Sequence, residues 1–273
     1  MDANEFYDSL IDHSNFAFIA GPCSVESMEQ ILRSARFLSG LGIPVLRGGA
    51  FKPRTDRNTF QGLGAEALEY LSEAREETGM LVVTEVLDYE MLPLFEKTVD
   101  ILQIGSRNCQ NFPLLRKVGR MNKPVLLKRG FGNTIDEFIK AAEYITAEGN
   151  SRVILVERGI RTFESATRFT LDVSAVPVIR ERTGFPVMID PSHPAGEARY
   201  VEPLALAGIA AGSDGIMVEV HPDPEKALSD RLQQLNFREF DHLHRQAEKI
   251  IRALGRKEIL TAKHRSREFD IYK

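Results

Sequence analysis

Seven cations stand at or just past the ends of short apolar runs: Arg47, Lys52, Arg54, Arg107, Lys128, Arg158 and Arg161. The densest stretch is Val45-Leu46-Arg47-Gly48-Gly49-Ala50-Phe51-Lys52-Pro53-Arg54-Thr55, where an apolar run gives way to three cations on a loop kept open by two glycines. Arginine's planar fork matches carboxylate and phosphate oxygens, and lysine adds a compact point charge. So many like charges facing one place would repel unless a polyanion lay between them, which implies a ligand with more than one phosphate plus a carboxylate. A lone Lys-Pro-Arg string is more often a solvated loop. The shared placement of nearly all these cations at strand ends argues against that here.

A second set is Cys23, His193, Glu219 and Asp230. A thiolate, an imidazole and two carboxylates suit Zn²⁺, Fe²⁺, Mn²⁺ or Co²⁺ better than Mg²⁺. The spacing is no local motif, and the residues alone leave other roles open. A buried Cys is commonly a small core residue, a strand-end His can be a general base, and His221 competes with His193. The third set is acidic: Glu85, Glu157 and Asp190 can pair with the arginines or move protons. Cys109, in Arg107-Asn108-Cys109-Gln110, is expected near the same place, and a Cys23–Cys109 disulfide is the less favoured outcome.

The elements that must position these residues are eight apolar runs. They are Phe16-Ala20, Pro44-Leu46, Leu81-Thr84, Ile101-Ile104, Val125-Leu127, Val153-Val156, Val187-Ile189 and Ile216-Val218. Short continuous apolar runs bounded by turn residues read as fully buried parallel strands. Between them, Met28 to Leu41, Leu63 to Thr78, Thr134 to Glu148 and Leu171 to Arg182 carry helical spacing, several with Ser, Thr or Asp near the start. Eight strand-helix units match a single-domain (β/α)8 barrel (a TIM barrel), whose usual size is roughly 250 residues. Chemistry in such barrels sits at the C-terminal strand ends. The expected organisation is an N-terminal arm over 1–15, a catalytic barrel over 16–255 and a C-terminal extension over 256–273.

Composition narrows the partners. The chain has 273 residues, 43% of them hydrophobic, enough to bury a full core. No apolar run approaches the roughly 20 residues that span a bilayer, and the polar, acidic start does not read as a signal peptide. A net charge of -4 argues against nucleic acid. Two cysteines in this length fit a reducing compartment. A soluble, cytoplasmic protein is expected.

Taken together, Gly21-Pro22-Cys23-Ser24, Leu46-Arg47-Gly48-Gly49-Ala50-Phe51-Lys52-Pro53-Arg54-Thr55, Gln103-Ile104-Gly105-Ser106-Arg107-Asn108, Leu127-Lys128-Arg129-Gly130, Glu157-Arg158-Gly159-Ile160-Arg161-Thr162-Phe163, Asp190-Pro191-Ser192-His193-Pro194-Ala195-Gly196 and Val218-Glu219-Val220-His221-Pro222 closely resemble 3-deoxy-D-arabino-heptulosonate 7-phosphate (DAHP) synthase in its short type I beta form. The resemblance covers roughly residues 16 to 255. It implies condensation of phosphoenolpyruvate with erythrose 4-phosphate, the opening reaction of the shikimate route to aromatic amino acids. It implies phosphoenolpyruvate held by Arg47, Lys52, Arg107, Lys128 and Arg158. Erythrose 4-phosphate would be received by Lys52, Pro53, Arg54 and Thr55, with Asp190 and Arg161, and one divalent metal ion per subunit bound by Cys23, His193, Glu219 and Asp230. Lys52, Lys128, Cys23, His193 and Glu85 are the implied catalytic residues. Homo-oligomers, dimer or tetramer, are usual in the family, and feedback inhibition through a fused regulatory domain is not expected here.

The chain departs from the family pattern at Asp56-Arg57-Asn58-Thr59-Phe60-Gln61-Gly62, which sets a carboxylate beside the aldose-phosphate segment. Two other readings remain. One is 3-deoxy-D-manno-octulosonate 8-phosphate synthase, which uses arabinose 5-phosphate and carries a Lys-Ala-Asn-Arg type segment where this chain has Lys52 to Thr55. The other is a catalytically silent phosphosugar-binding barrel. Lys128 also raises a Schiff-base aldolase, a poorer fit for a lysine among other cations.

Overall fold

The computed structural model describes residues 1–53 and 56–261. Eight parallel strands close into a barrel: β1 (Asn15–Gly21), β2 (Val45–Arg47), β3 (Leu81–Glu85), β4 (Ile101–Ile104), β5 (Val125–Lys128), β6 (Val153–Glu157), β7 (Val187–Ile189) and β8 (Gly215–Glu219), with β1 paired to both β2 and β8. Every run expected to be a strand is one. A short ninth strand, β9 (Lys257–Glu258), adds to the start of β1 at Asn15 and Phe16.

The helices are α1 (Ala3–Ile11), α2 (Met28–Gly40), α3 (Ala65–Thr78), α4 (Leu92–Thr98), α5 (Phe112–Gly119), α6 (Ile135–Thr146), α7 (Ala175–Arg182), α8 (Ser192–Ala195), α9 (Ala198–Ala210) and α10 (Phe237–Ala253). Reciprocal caps start three of them, Asp2 with Glu5, Thr134 with Glu137 and Asn236 with Glu239, each satisfying two otherwise orphaned amides. Helix α7 begins four residues later than its apolar spacing suggests. Residues ahead of it are held behind the end of β6, where the Asp172 amide donates to Glu157 and its carboxylate accepts from Arg129. Among the described residues no helix is long and apolar enough to cross a membrane.

Side-chain alternation along the strands divides the core in two. Phe16, Phe18, Leu46, Val82, Leu127, Leu155 and their neighbours face outward and pack under the helices. Ala17, Ile19, Val45, Val83, Ile101, Leu126, Val156, Met188 and Met217 face inward. Two residues beyond the last inward apolar residue, the same parity delivers Arg47, Glu85, Gln103, Lys128, Arg158, Asp190 and Glu219 to one end of the barrel. The period of two that buries the core therefore also sorts the chemistry.

The opposite end is sealed. Phe6 and Leu10 of α1 are fully buried against the inward cluster, and Tyr7 donates its hydroxyl to the Ser151 carbonyl at 3.0 Å. Arg256 reaches the Asn15 carbonyl at 2.7 Å and Asp214 at 2.9 Å, and also bonds the Ser213 carbonyl. Residues 256–261 thus pack on the floor of the barrel, and 262–273, the rest of the segment set apart as an extension, lie outside the described residues.

Candidate active site

The strand ends open into a cavity of about 480 Å³, within the range of small-molecule sites. Cys23, Arg47, Lys52, Pro53, Glu85, Arg107, Lys128, Arg158, Arg161, His193 and Asp230 all line it. Asp190 and Glu219 lie just beneath, fully buried, in contact with lining residues. Arg54 and Thr55 lie outside the described residues. Glycine makes the floor of the mouth possible: a Cβ on Gly21, at φ +147°, would sit 2.1 Å from the Arg47 carbonyl oxygen, so β1 and β2 could not approach beside Cys23.

Five of the cations fall into two groups. Arg47 and Lys128 are buried deep and paired, Arg47 Nη2 with Glu219 Oε1 at 3.1 Å and Lys128 Nζ with Asp190 Oδ2 at 2.5 Å. Higher up, Arg107, Arg158 and Arg161 gather on the Phe131 ring at 5.7, 5.0 and 5.5 Å, and Arg158 also lies 4.3 Å from the Phe169 centroid. Phe131 and Phe169 stack at 5.2 Å, so the ring faces draw the guanidinium groups together despite their like charge. Burial pushes the Arg158 guanidinium down to about 10, which leaves it a cation at neutral pH.

Behind this wall, Arg129 Nη1 pairs with Glu157 at 2.9 Å and Asp172 at 2.8 Å. Glu157 is thus an ion-pair partner away from the cavity. Glu85 accepts from Gln103 at 3.4 Å and packs against Gly105, where any Cβ would lie 1.9 Å from its Oε1.

Cys23 Sγ, a Glu219 oxygen and an Asp230 oxygen lie within 4.8 Å of one another. His193 Nε2 is 3.6 Å from Glu219 Oε1, beside this trio and not within it. Its Nδ1 is 2.6 Å from Asp190 Oδ2, within ion-pair distance without the alignment of a hydrogen bond, and Nε2 is the ring nitrogen turned toward Glu219. Burial outweighs Asp190 and Glu219 and pushes the imidazole down to about 4, so it is neutral at pH 7. Burial, then the Glu219 charge, pushes the Cys23 thiol well up. Lys52 Nζ meets Cys23 Sγ at 2.6 Å and Asp230 Oδ2 at 3.1 Å. Glu219 Oε1 is buried with no well-aligned hydrogen bond among the described residues. A soft sulfur, an imidazole nitrogen and two anionic oxygens around such an atom fit a borderline divalent cation.

Some cavity-lining positions escaped the sequence reading. Gln103 follows from strand parity alone. Phe131, Phe169 and Arg168 sit on irregular loops with no periodicity to place them; Arg168 lies 3.5 Å from Asp230. His221 faces Glu26, at 3.5 Å, and does not compete for the trio. Cys23 and Cys109 are both free thiols. Asp56 lines the cavity, and its Oδ1 accepts from the Asn58 amide at 2.9 Å, closing a turn.

An eight-stranded α/β barrel whose mouth combines a cluster of cations with a mixed sulfur, nitrogen and oxygen group is the frame of an enzyme acting on small molecules. The DAHP synthetase I family matches residues 11–254, and the chain belongs to that family. It is 57% identical over 248 residues to phospho-2-dehydro-3-deoxyheptonate aldolase from Thermotoga maritima, covering 91% of this chain and 73% of the relative. A crystal structure of that Thermotoga enzyme superposes with a TM-score of 0.88, over 90% of this chain and 72% of the other. The 2-dehydro-3-deoxyphosphooctonate aldolase of Geobacter sulfurreducens is 33% identical over 230 residues, covering 78% of this chain and 84% of the relative.

Proposed function

We propose that this protein is a DAHP synthase that joins phosphoenolpyruvate, erythrose 4-phosphate and water to give 3-deoxy-D-arabino-heptulosonate 7-phosphate and inorganic phosphate, the first step of the shikimate pathway. The observation that carries this reading is the ring of inward strand-end cations in a chain 57% identical to a relative named for that product.

In this reading Arg47, Lys128, Arg107 and Arg158 hold the carboxylate and phosphate of phosphoenolpyruvate. Positions fixed by ion pairs and ring faces supply electrostatic stabilisation without reorganisation. The methylene carbon of phosphoenolpyruvate forms the new bond to the aldehyde carbon, water adds at the enol carbon, and phosphate leaves by C–O cleavage. Lys52, Pro53 and Arg161 would receive the aldose phosphate, the role the resemblance also gives Arg54 and Thr55. Lys52 Nζ would donate to the oxygen that gains charge when the aldehyde is attacked. Asp190 orients both Lys128 and His193, and Glu85 borders the substrates. Cys23, His193, Glu219 and Asp230 would hold one divalent cation, which when bound supplies Lewis acidity toward a carbonyl oxygen. A reducing, cytoplasmic setting keeps Cys23 a free ligand.

Octonate synthesis from arabinose 5-phosphate is the second reading, favoured only by relatives near one-third identity. Loss of the enol absorbance of phosphoenolpyruvate is to be followed with erythrose 4-phosphate and, separately, with arabinose 5-phosphate, each with and without EDTA. Consumption with erythrose 4-phosphate alone, abolished by EDTA, is expected. Preference for arabinose 5-phosphate would overturn the assignment, and silence with both would favour a binding barrel.

A further inference from the structure

Asp230 lies in a loop between β8 and α10 and is the one non-glycine residue with positive φ, +42°, among the described residues. An irregular segment in an uncommon backbone conformation keeps its place only if its surroundings hold it there. Two consecutive glutamines supply that hold, each almost fully buried. Gln234 Oε1 accepts from the Cys23 amide at 2.9 Å, and its Nε2 donates to the Ser229 carbonyl at 2.9 Å. Gln233 Nε2 donates to Glu219 Oε2 at 2.7 Å, its Oε1 accepts from Arg168 at 2.8 Å, and its backbone amide donates to the Asp230 carbonyl at 3.2 Å.

The Gln234 side chain therefore ties Cys23 to the residue before Asp230, while the Gln233 side chain holds Glu219 and Arg168 and its backbone amide closes the turn that starts at Asp230. The task calls for an amide, which offers a donor and an acceptor on one stem. A carboxylate at 234 could not donate to Ser229, and one at 233 would face the Glu219 carboxylate. Ser24 Oγ against Ser229 Oγ at 2.5 Å, and the Leu228 amide on Glu26 at 2.9 Å, pin the same loop further back.

The geometry points to Gln233 and Gln234 as positioning residues that set the spacing of Cys23, Glu219 and Asp230, and through it the affinity of the cluster for a divalent cation. This rests on the metal-site reading above. Groups that orient ligands from behind govern metal affinity by about 10- to 100-fold.

The test uses the full chain stripped of metal and titrated with Co²⁺, read by equilibrium dialysis and by the thiolate-to-cobalt charge-transfer absorption, with melting in EDTA recorded for each variant. Gln234→Met and Gln233→Met preserve volume and remove the bridges; each should weaken Co²⁺ about 10- to 100-fold and alter the absorption band while still melting cooperatively. His244→Ala, far from the cluster, should lower the melting temperature and leave Co²⁺ affinity unchanged. Undiminished affinity in both Met variants, or an equal loss in His244→Ala, would overturn the positioning role. A parent protein with no charge-transfer band, and Co²⁺ affinity unaffected by Cys23→Ser, would instead overturn the metal site itself.

Discussion

The Lys52 ammonium lies 2.6 Å from the Cys23 sulfur and 3.1 Å from Asp230 Oδ2, so a protein cation already engages two of the proposed metal donors. The two positive charges must share those donors when a metal binds. Lys52→Met is therefore expected to leave Co²⁺ affinity as high as in the parent, or higher, while condensation falls by about 10²-fold or more for want of a donor at the developing charge. Dialysis and the phosphoenolpyruvate assay read the two effects separately.

Asp190 holds Lys128 at 2.5 Å and His193 at 2.6 Å from the same oxygen. Asp190→Asn removes the carboxylate that offsets the burial of the Lys128 ammonium, and breaking a buried pair from one side costs about 3–5 kcal/mol. Urea unfolding should show that loss, and the surviving folded enzyme should have a low kcat.

Phe131 and Phe169 contribute no polar atom, yet they seat Arg158. Replacing either ring with leucine removes a cation–π contact worth about 0.5–2 kcal/mol. The KM for phosphoenolpyruvate should rise about 2- to 30-fold with little change in melting temperature.

His244 Nε2 meets Glu258 at 2.6 Å on the side of the barrel away from the mouth. Burial alone would lower the imidazole pKa, but the hydrogen bond and charge of Glu258 outweigh it and the value is raised above 6.5. The folded state thus binds the proton more tightly than the unfolded chain. The resulting stability is fully present below the unfolded value and is lost as pH rises through the folded one. Denaturation midpoints measured across that window should fall with rising pH, and Glu258→Gln should flatten the dependence.

Phe6 is fully buried where α1 closes the floor. Phe6→Ala should cost about 3–5 kcal/mol in unfolding experiments and leave KM values for both substrates near those of the parent.

Strand positions were legible because a buried parallel strand is a continuous apolar run, and the residue closing each run is polar for a reason. Arg47, Lys128 and Glu219 were found on that logic. What the sequence did not reveal has no such rhythm. Gln233 and Gln234 act through amide pairs across residues far apart in the chain, and Phe131 and Phe169 meet only after two loops have folded over the rim. Arg256 reads as the start of a C-terminal extension because nothing local shows that Asp214 waits for it beneath the barrel.

Lys128 and Arg129 are neighbours, as are Glu157 and Arg158, yet within each pair one residue faces the cavity and the other the outer layer. Which charge reaches the substrate is thus a matter of frame. A slip of one residue in β6 would put Glu157 in the place of Arg158 and reverse the sign of that wall, because every side chain on a strand changes face together. The packing of Ile154 and Val156 inside and Leu155 outside forbids the slip. The apolar core in this way acts as the proofreader of the polarity of the mouth.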